Sequence, residues 1–210
     1  NFANHAHPAF VAAMDTVRSG ELGNLIGAFA RLSNRRSYPL ENLAWAGQSS
    51  VAWFLASHTA DLISWLTGWR PASVLARGSK GALTSHGVDT WDLIQSIVTF
   101  DSGKSALLEN SWALPDSHPT VVQFDFVLHG EAGQFQVDMT RQGVVLAGPN
   151  GFTWPGTISW IPELLDKLFD RLDQPDPSSL AAGVDNTALL VALHRSLETG
   201  REVAVQLDPQ

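Results

Sequence analysis

From Pro8 onward the apolar residues fall at helical spacing, with Phe10, Ala13, Met14 and Val17 on one face. Pro8 suits a first turn, Arg18 a last turn and Gly20 a stop, so a helix is predicted to end before Gly20. After the Glu21-Leu22-Gly23 turn, residues 25 to 33 alternate, with Ile26, Ala28, Ala30 and Leu32 on one face of a strand. Residues 34–50 are polar and carry Pro39 and Gly47, which predicts a long loop of the kind that often serves function. Residues 51 to 66 return to the helical period, and Thr67-Gly68 ends them. Val51, Leu55, Leu62 and Leu66 form the stripe, and Ala52, Phe54 and Ile63 extend it nearly all round. A helix of that kind belongs in the interior.

Beyond Gly68 the period changes to two. Residues 72–76, 91–100, 105–112, 121–129, 134–139 and 144–147 read as strands. Asp101-Ser102-Gly103-Lys104 and Gly130-Glu131-Ala132-Gly133 join two pairs of them as hairpins. Consecutive strands with short turns predict an antiparallel meander. Alternate polar positions, such as Asp92 and Ser96 or Gln123 and Asp125, predict one covered and one open face. Helices over 159–172 and 178–197 and a short strand over 203–207 complete the pattern. The fold class is therefore α+β, an open-faced, mostly antiparallel sheet with helices packed on one face. There is no internal repeat, Gln174-Pro175-Asp176-Pro177 reads as a helix connector, and residues 1–210 read as a single domain.

Composition narrows the function classes. The chain has 210 residues, 44% hydrophobic and 16% charged, which excludes a disordered segment. Thirteen basic against 21 acidic residues give a net charge of −8, which argues against a nucleic-acid or anionic-membrane partner. No apolar run is long enough to span a bilayer. Cysteine is absent, which removes disulfides and thiolate chemistry. A cytoplasmic protein is expected. The chain starts at Asn1 with no initiator Met or signal peptide, as a fragment or processed product would. Eight Trp against one Tyr suit core packing and also sugar-ring stacking.

No dinucleotide fingerprint, phosphate-binding glycine loop or Gly-x-Ser-x-Gly elbow occurs, because Gly20-Glu21-Leu22-Gly23 follows a helix rather than a strand. His5-Ala6-His7 reads as a surface pair with no obvious carboxylate partner, and no metal site is expected. His86 and His118 read as solvated loop residues, and His129 and His194 as structural ones. His58 differs. It lies mid-helix on the segment expected to be buried, with Asp61 and Trp65 on the same side. One reading is an imidazole at a pocket mouth that moves a proton, and the other is a core histidine hydrogen-bonded to Asp61.

The run His58-Thr-Ala-Asp61-Leu-Ile-Ser-Trp65-Leu-Thr-Gly68 resembles the H-x-x-D-x-x-x-W-L-x-G helix of the glucose–fructose oxidoreductase / inositol dehydrogenase (Gfo/Idh/MocA) family. Ser19-Gly-Glu-Leu-Gly23, Gly87-Val-Asp-Thr-Trp-Asp92, Phe100-Asp-Ser-Gly103, Gly130-Glu-Ala-Gly133 and Ser196-Leu-Glu-Thr-Gly200-Arg201 resemble further family motifs, in family order over almost the whole chain. The resemblance is to the family's C-terminal domain, which implies the dihydrodipicolinate-reductase-like form of the α+β fold. It also implies a preceding Rossmann domain that binds NAD or NADP and supplies a catalytic lysine, so this chain alone would be inactive and itself holds no cofactor-binding residues. The implied activity of the complete protein is oxidation or reduction of a hydroxyl or carbonyl on a sugar, polyol or related compound. The implied assembly is a homodimer or higher oligomer through the open sheet face. His58 takes the acid/base position. Phe54 stands where many members carry an aspartate, which breaks the family's two-residue arrangement. Trp45, Arg35, Arg36 and Phe54 are the expected substrate contacts. A non-catalytic sugar-binding or assembly module is the alternative.

Overall fold

The computed structural model describes residues 3–139, 143–148, 151–153 and 177–207. The helix predicted over 159–172 lies outside the described residues. A 3-10 turn, Ala3–Ala6, leads into helix α1, Pro8–Ser19. The His7 ring caps α1 by accepting the Ala9 N–H at 3.2 Å, and Gly20 closes it in the left-handed region at φ 75°. Strand β1 is Leu25–Arg35, helix α2 Ser37–Asn42 and helix α3 Ser57–Thr67. Strands β2 to β8 follow as Pro71–Ser79, Leu93–Phe100, Ser105–Leu114, Val122–Gly130, Gln134–Asp138, Gly143–Gly148 and Gly151–Thr153. Helix α4, Pro177–Thr199, and strand β9, Val203–Ala204, end the described chain.

Among the described residues the sheet has nine strands, in the order β8-β7-β6-β5-β1-β4-β3-β2-β9. The meander is thus interrupted. β1 wedges between β4 and β5, parallel to the first and antiparallel to the second. Local pattern cannot show this, because residues 115–121 are not a tight hairpin but a seven-residue loop that steps over one strand. Strands lie about 4.8 Å apart, so that step is roughly 10 Å, within easy reach of such a loop.

The core lies between one sheet face and the helices. Ala28, Ala30 and Leu32 of β1, Ala106 and Leu108 of β4, and Phe124, Phe126 and Leu128 of β5 are buried there. Phe10 of α1, Leu62, Ile63 and Leu66 of α3 and Leu189, Leu190 and Leu193 of α4 complete the same cluster. The described helices α1, α3 and α4 cover this face, as the alternation predicts. On the opposite face Leu75, Ile97, Leu107, Phe29 and Val127 fall opposite one another across five strands, and Ile97 and Leu107 remain exposed. The flanking rung is charged: Arg31 donates to Glu109 at 2.7 Å, and Gln95 to the other Glu109 oxygen at 2.7 Å.

Several of the sequence motifs are structural fasteners. The buried Asp92 carboxylate accepts the Ala82 and Leu83 N–H groups at 2.7 and 2.8 Å, which pins the loop before β3. Ser196 accepts the Ala76 N–H and donates to the Arg201 carbonyl, tying α4 to β2. Gly130 lets two turns touch: a Cβ there would sit 2.1 Å from the Leu22 carbonyl oxygen. Gly130→Ala should therefore cost about 1–3 kcal/mol, the usual penalty for overpacking a closed site. Chemical denaturation that finds no loss of stability in this variant would contradict the packing described.

Candidate functional site

Helix α3 is preceded by a π turn, Ala52–Ala56, in which the Ser57 N–H reaches the Ala52 carbonyl. The single helix expected over 51–66 is therefore two-part, and the widened turn changes where Trp53 and Phe54 project relative to His58. The stretch expected to be a loop over 34–50 also carries structure. It holds the last two residues of β1, helix α2 and a 3-10 turn, Ala46–Gln48. Apolar anchors explain this: Pro39 and Ala46 are buried, and Leu40 and Leu43 pack on the core.

His58 is half-buried, and the structure gives it no hydrogen-bond partner among the described residues. Burial pushes its pKa below the ordinary 6.5, and the nearby Asp61 charge only partly offsets this. The imidazole is therefore held neutral near pH 7, with ring nitrogens available to take or return a proton. Asp61 does not bond it. At 3% exposure, Asp61 accepts instead from His5 at 2.7 Å, and the His5 ring stacks on Trp65 with centroids 4.2 Å apart. Burial raises the Asp61 pKa, while the His5 hydrogen bond works against that rise. The reading of His5 and His7 as a surface pair is thus corrected. His7 is buried as the cap of α1, and His5 is the partner that Asp61 needs.

Phe54 is the hub of an aromatic cluster, with ring centroids of Trp45 at 5.5 Å, Trp112 at 5.7 Å and Tyr38 at 6.1 Å. The structure therefore brings two of the predicted contacts, Phe54 and Trp45, together. Trp45 is 42% exposed, so the cluster opens to solvent. The two arginines have other partners. Arg35 donates to the Thr120 carbonyl at 3.2 Å and to the His118 carbonyl, while Arg36 pairs with Asp116 at 3.5 Å. Both hold the 115–121 loop over the end of β1. Sequence reasoning missed Tyr38, Trp112 and His5. Their partners lie far along the chain, and only the repeated aromatic residues flanking the 34–50 segment hinted at a cluster.

A family model for the GFO/IDH/MocA C-terminal domain matches residues 10–136. The chain belongs to this family. Solved structures share the fold. A levoglucosan dehydrogenase in complex with NADH and levoglucosan superposes with a TM-score of 0.82 at 19% identity, over 99% of this chain and 66% of that one. A myo-inositol 2-dehydrogenase from Lactobacillus plantarum gives 0.78 at 17%, over 98% and 64%. An NAD binding oxidoreductase from Klebsiella pneumoniae gives 0.79 at 18%, over 99% and 66%. The chain thus spans slightly less than two thirds of the length of these structures. A comparison with curated proteins found no match.

Among the described residues, no helix is long and apolar enough to cross a membrane, and no His, Asp and Glu side chains gather as a metal-ligand set. The Gly20–Gly23 turn leads into a strand, and its Gly20 and Gly23 N–H groups are bonded to the Val17 and Gly20 carbonyls.

His5→Ala should destabilise the fold by about 1–3 kcal/mol, because it leaves a buried carboxylate without its donor. Loss of that bond raises the Asp61 pKa further, so the folded form binds its proton more tightly and stability falls as pH rises. The deficit should be larger at neutral pH than in mildly acidic buffer. Denaturation curves showing a pH-independent deficit would contradict the pairing.

Proposed function

We propose that the chain is the substrate-binding half of a nicotinamide-dependent oxidoreductase that interconverts a hydroxyl and a carbonyl on a sugar, polyol or related compound. The observation that carries this reading is a half-buried, neutral imidazole without a described hydrogen-bond partner, on the helix whose motif marks the family. NAD or NADP, held by another part of the complete protein, would supply or accept the hydride. This chain's part is to bind the substrate and move a proton at His58. In the oxidising direction His58 takes the hydroxyl proton, and in reduction the imidazolium returns it to the carbonyl oxygen.

Phe54 changes how that base is supported. A phenyl ring cannot orient an imidazole or relay its proton, so His58 acts without the carboxylate found one turn earlier in many members. What Phe54 supplies is apolar surface that, with Trp45, offers a face for the C–H side of a sugar ring. The guanidinium groups of Arg35 and Arg36, the other expected substrate contacts, are engaged by the 115–121 loop. The same substitution favours a second reading, a module that binds sugar without catalysing its oxidation.

The open sheet face supports assembly. A row of apolar side chains crosses five strands, flanked on one side by a charged rung, and suits a second copy of the chain. Sedimentation should show a dimer or higher oligomer that Leu107→Lys converts to a monomer. A wild-type monomer at high concentration would contradict this.

In the complete protein, His58→Gln should lower kcat by about 10²–10⁴ with little change in KM, the range for removing a general acid–base. Unchanged turnover with intact fold would overturn the role of His58. Sugar binding with no turnover in the wild type would favour the module.

A further inference from the structure

A cavity of about 330 Å³ lies on the other side of the π turn, lined by Ser50, Trp53, Lys80, Asp89, Trp91 and His194. Trp53 is 39% exposed although its neighbours Ala52, Leu55 and Ala56 are buried. Its indole stacks on the His194 ring, with centroids 5.0 Å apart and planes 17° from parallel. That ring is fixed at both nitrogens. The Leu190 carbonyl, 2.7 Å from Nδ1, can only accept, so Nδ1 carries the hydrogen. Nε2 lies 2.6 Å from the Ser50 hydroxyl oxygen, and that oxygen accepts the Trp53 backbone N–H at 3.3 Å. Trp53 is therefore a braced aromatic platform rather than a loose surface side chain.

Lys80 and Asp89 also line the cavity and pair at 2.7 Å, and the Lys80 ammonium lies 5.2 Å from the centre of the Trp91 ring. The two loops are tied, because Thr90 donates to the Ser49 carbonyl at 2.8 Å. Charge along the lining cancels between Lys80 and Asp89, which pair at hydrogen-bond distance. An anion meets a compensated ammonium, and a cation meets a compensated carboxylate. What remains is an aromatic face beside adjacent donors and acceptors, in a volume at the small end of ligand sites. A neutral ring with an apolar C–H face and hydroxyls on its edge satisfies each of these features.

We propose that this cavity binds one ring of a neutral polyhydroxylated compound, a pyranose or cyclitol, with Trp53 as stacking platform and the Lys80–Asp89 pair as hydroxyl partners. The site is separate from the one at His58. Trp53 and Phe54 are consecutive, but the Trp53 ring stacks on α4 while the Phe54 ring packs on Tyr38, Trp45 and Trp112. It stands without the acid–base reading of His58.

The test is a protein-observed NMR titration of the complete protein with D-glucose, myo-inositol and cellobiose, following the indole N–H signals assigned by single Trp→Phe variants. The Trp53 and Trp91 signals should shift saturably, with Kd on the order of 1–10 mM, as expected for a small open site. Trp53→Ala should abolish the Trp91 shift, and Asp89→Asn should weaken binding several-fold. Both positions are exposed, and the spectra themselves report that the fold is intact. Tighter binding of cellobiose than glucose identifies the ring as a glycan terminus, and equal binding identifies a free monosaccharide. Shifts confined to Trp45 and Trp112 would overturn this site while leaving the His58 reading in place. No saturable shift at Trp53 or Trp91 up to about 100 mM ligand, far above that Kd, would overturn it outright.

Discussion

A buried helix that carries ionisable side chains must either pair them or hold them neutral, and α3 does one of each. Its apolar surface is wide enough to bury Leu62, Ile63 and Leu66 fully. Asp61 and His58 are carried inward with that surface. Asp61 is paired, because the His5 ring reaches it from the turn before α1 and is held flat by Trp65. His58 has no such partner among the described residues, so desolvation sets its protonation state. The same burial that stabilises the helix thus holds neutral the imidazole proposed for proton transfer. The Asp61–His5 pair also ties the start of the chain to the helix that carries His58.

The wedge of β1 between β4 and β5 places the rest. It forces the 115–121 loop to step across the strand end, and Arg35 and Arg36 hold that loop down. It brings Trp112 of β4 beneath the segment that follows β1, where Tyr38 and Trp45 meet Phe54. The widened turn at Ala52–Ala56 then divides two consecutive aromatic residues between two surroundings, Phe54 toward the sheet end and Trp53 toward α4.

How much of this the sequence carried depended on the range of the interaction. The core faces of α1, β1 and α3 were legible, since each follows from spacing within a dozen residues. The open face was legible too, from alternation in β3 and β5. The position of β1 was not, because a parallel pair between residues 25–35 and 105–114 leaves no local trace. The short helix α2 was hidden in a polar stretch whose anchors, Pro39 and Leu40, read as punctuation. His5 and Asp61 are 56 residues apart, and nothing in either neighbourhood announces the other. The family resemblance carried His58, Phe54 and Trp45. The structure unites the last two in one cluster and gives Arg35 and Arg36 partners on the neighbouring loop.

The most direct measurement is the pH dependence of kcat/KM for substrate oxidation by the complete protein. If neutral His58 is the base, the rate should fall on the acid side through an apparent pKa below the ordinary histidine value of 6.5, because burial depresses it. That limb should vanish in His58→Gln, leaving only the low residual rate. A limb that persists unchanged in the variant, or a wild-type profile flat through the histidine range, would contradict the account.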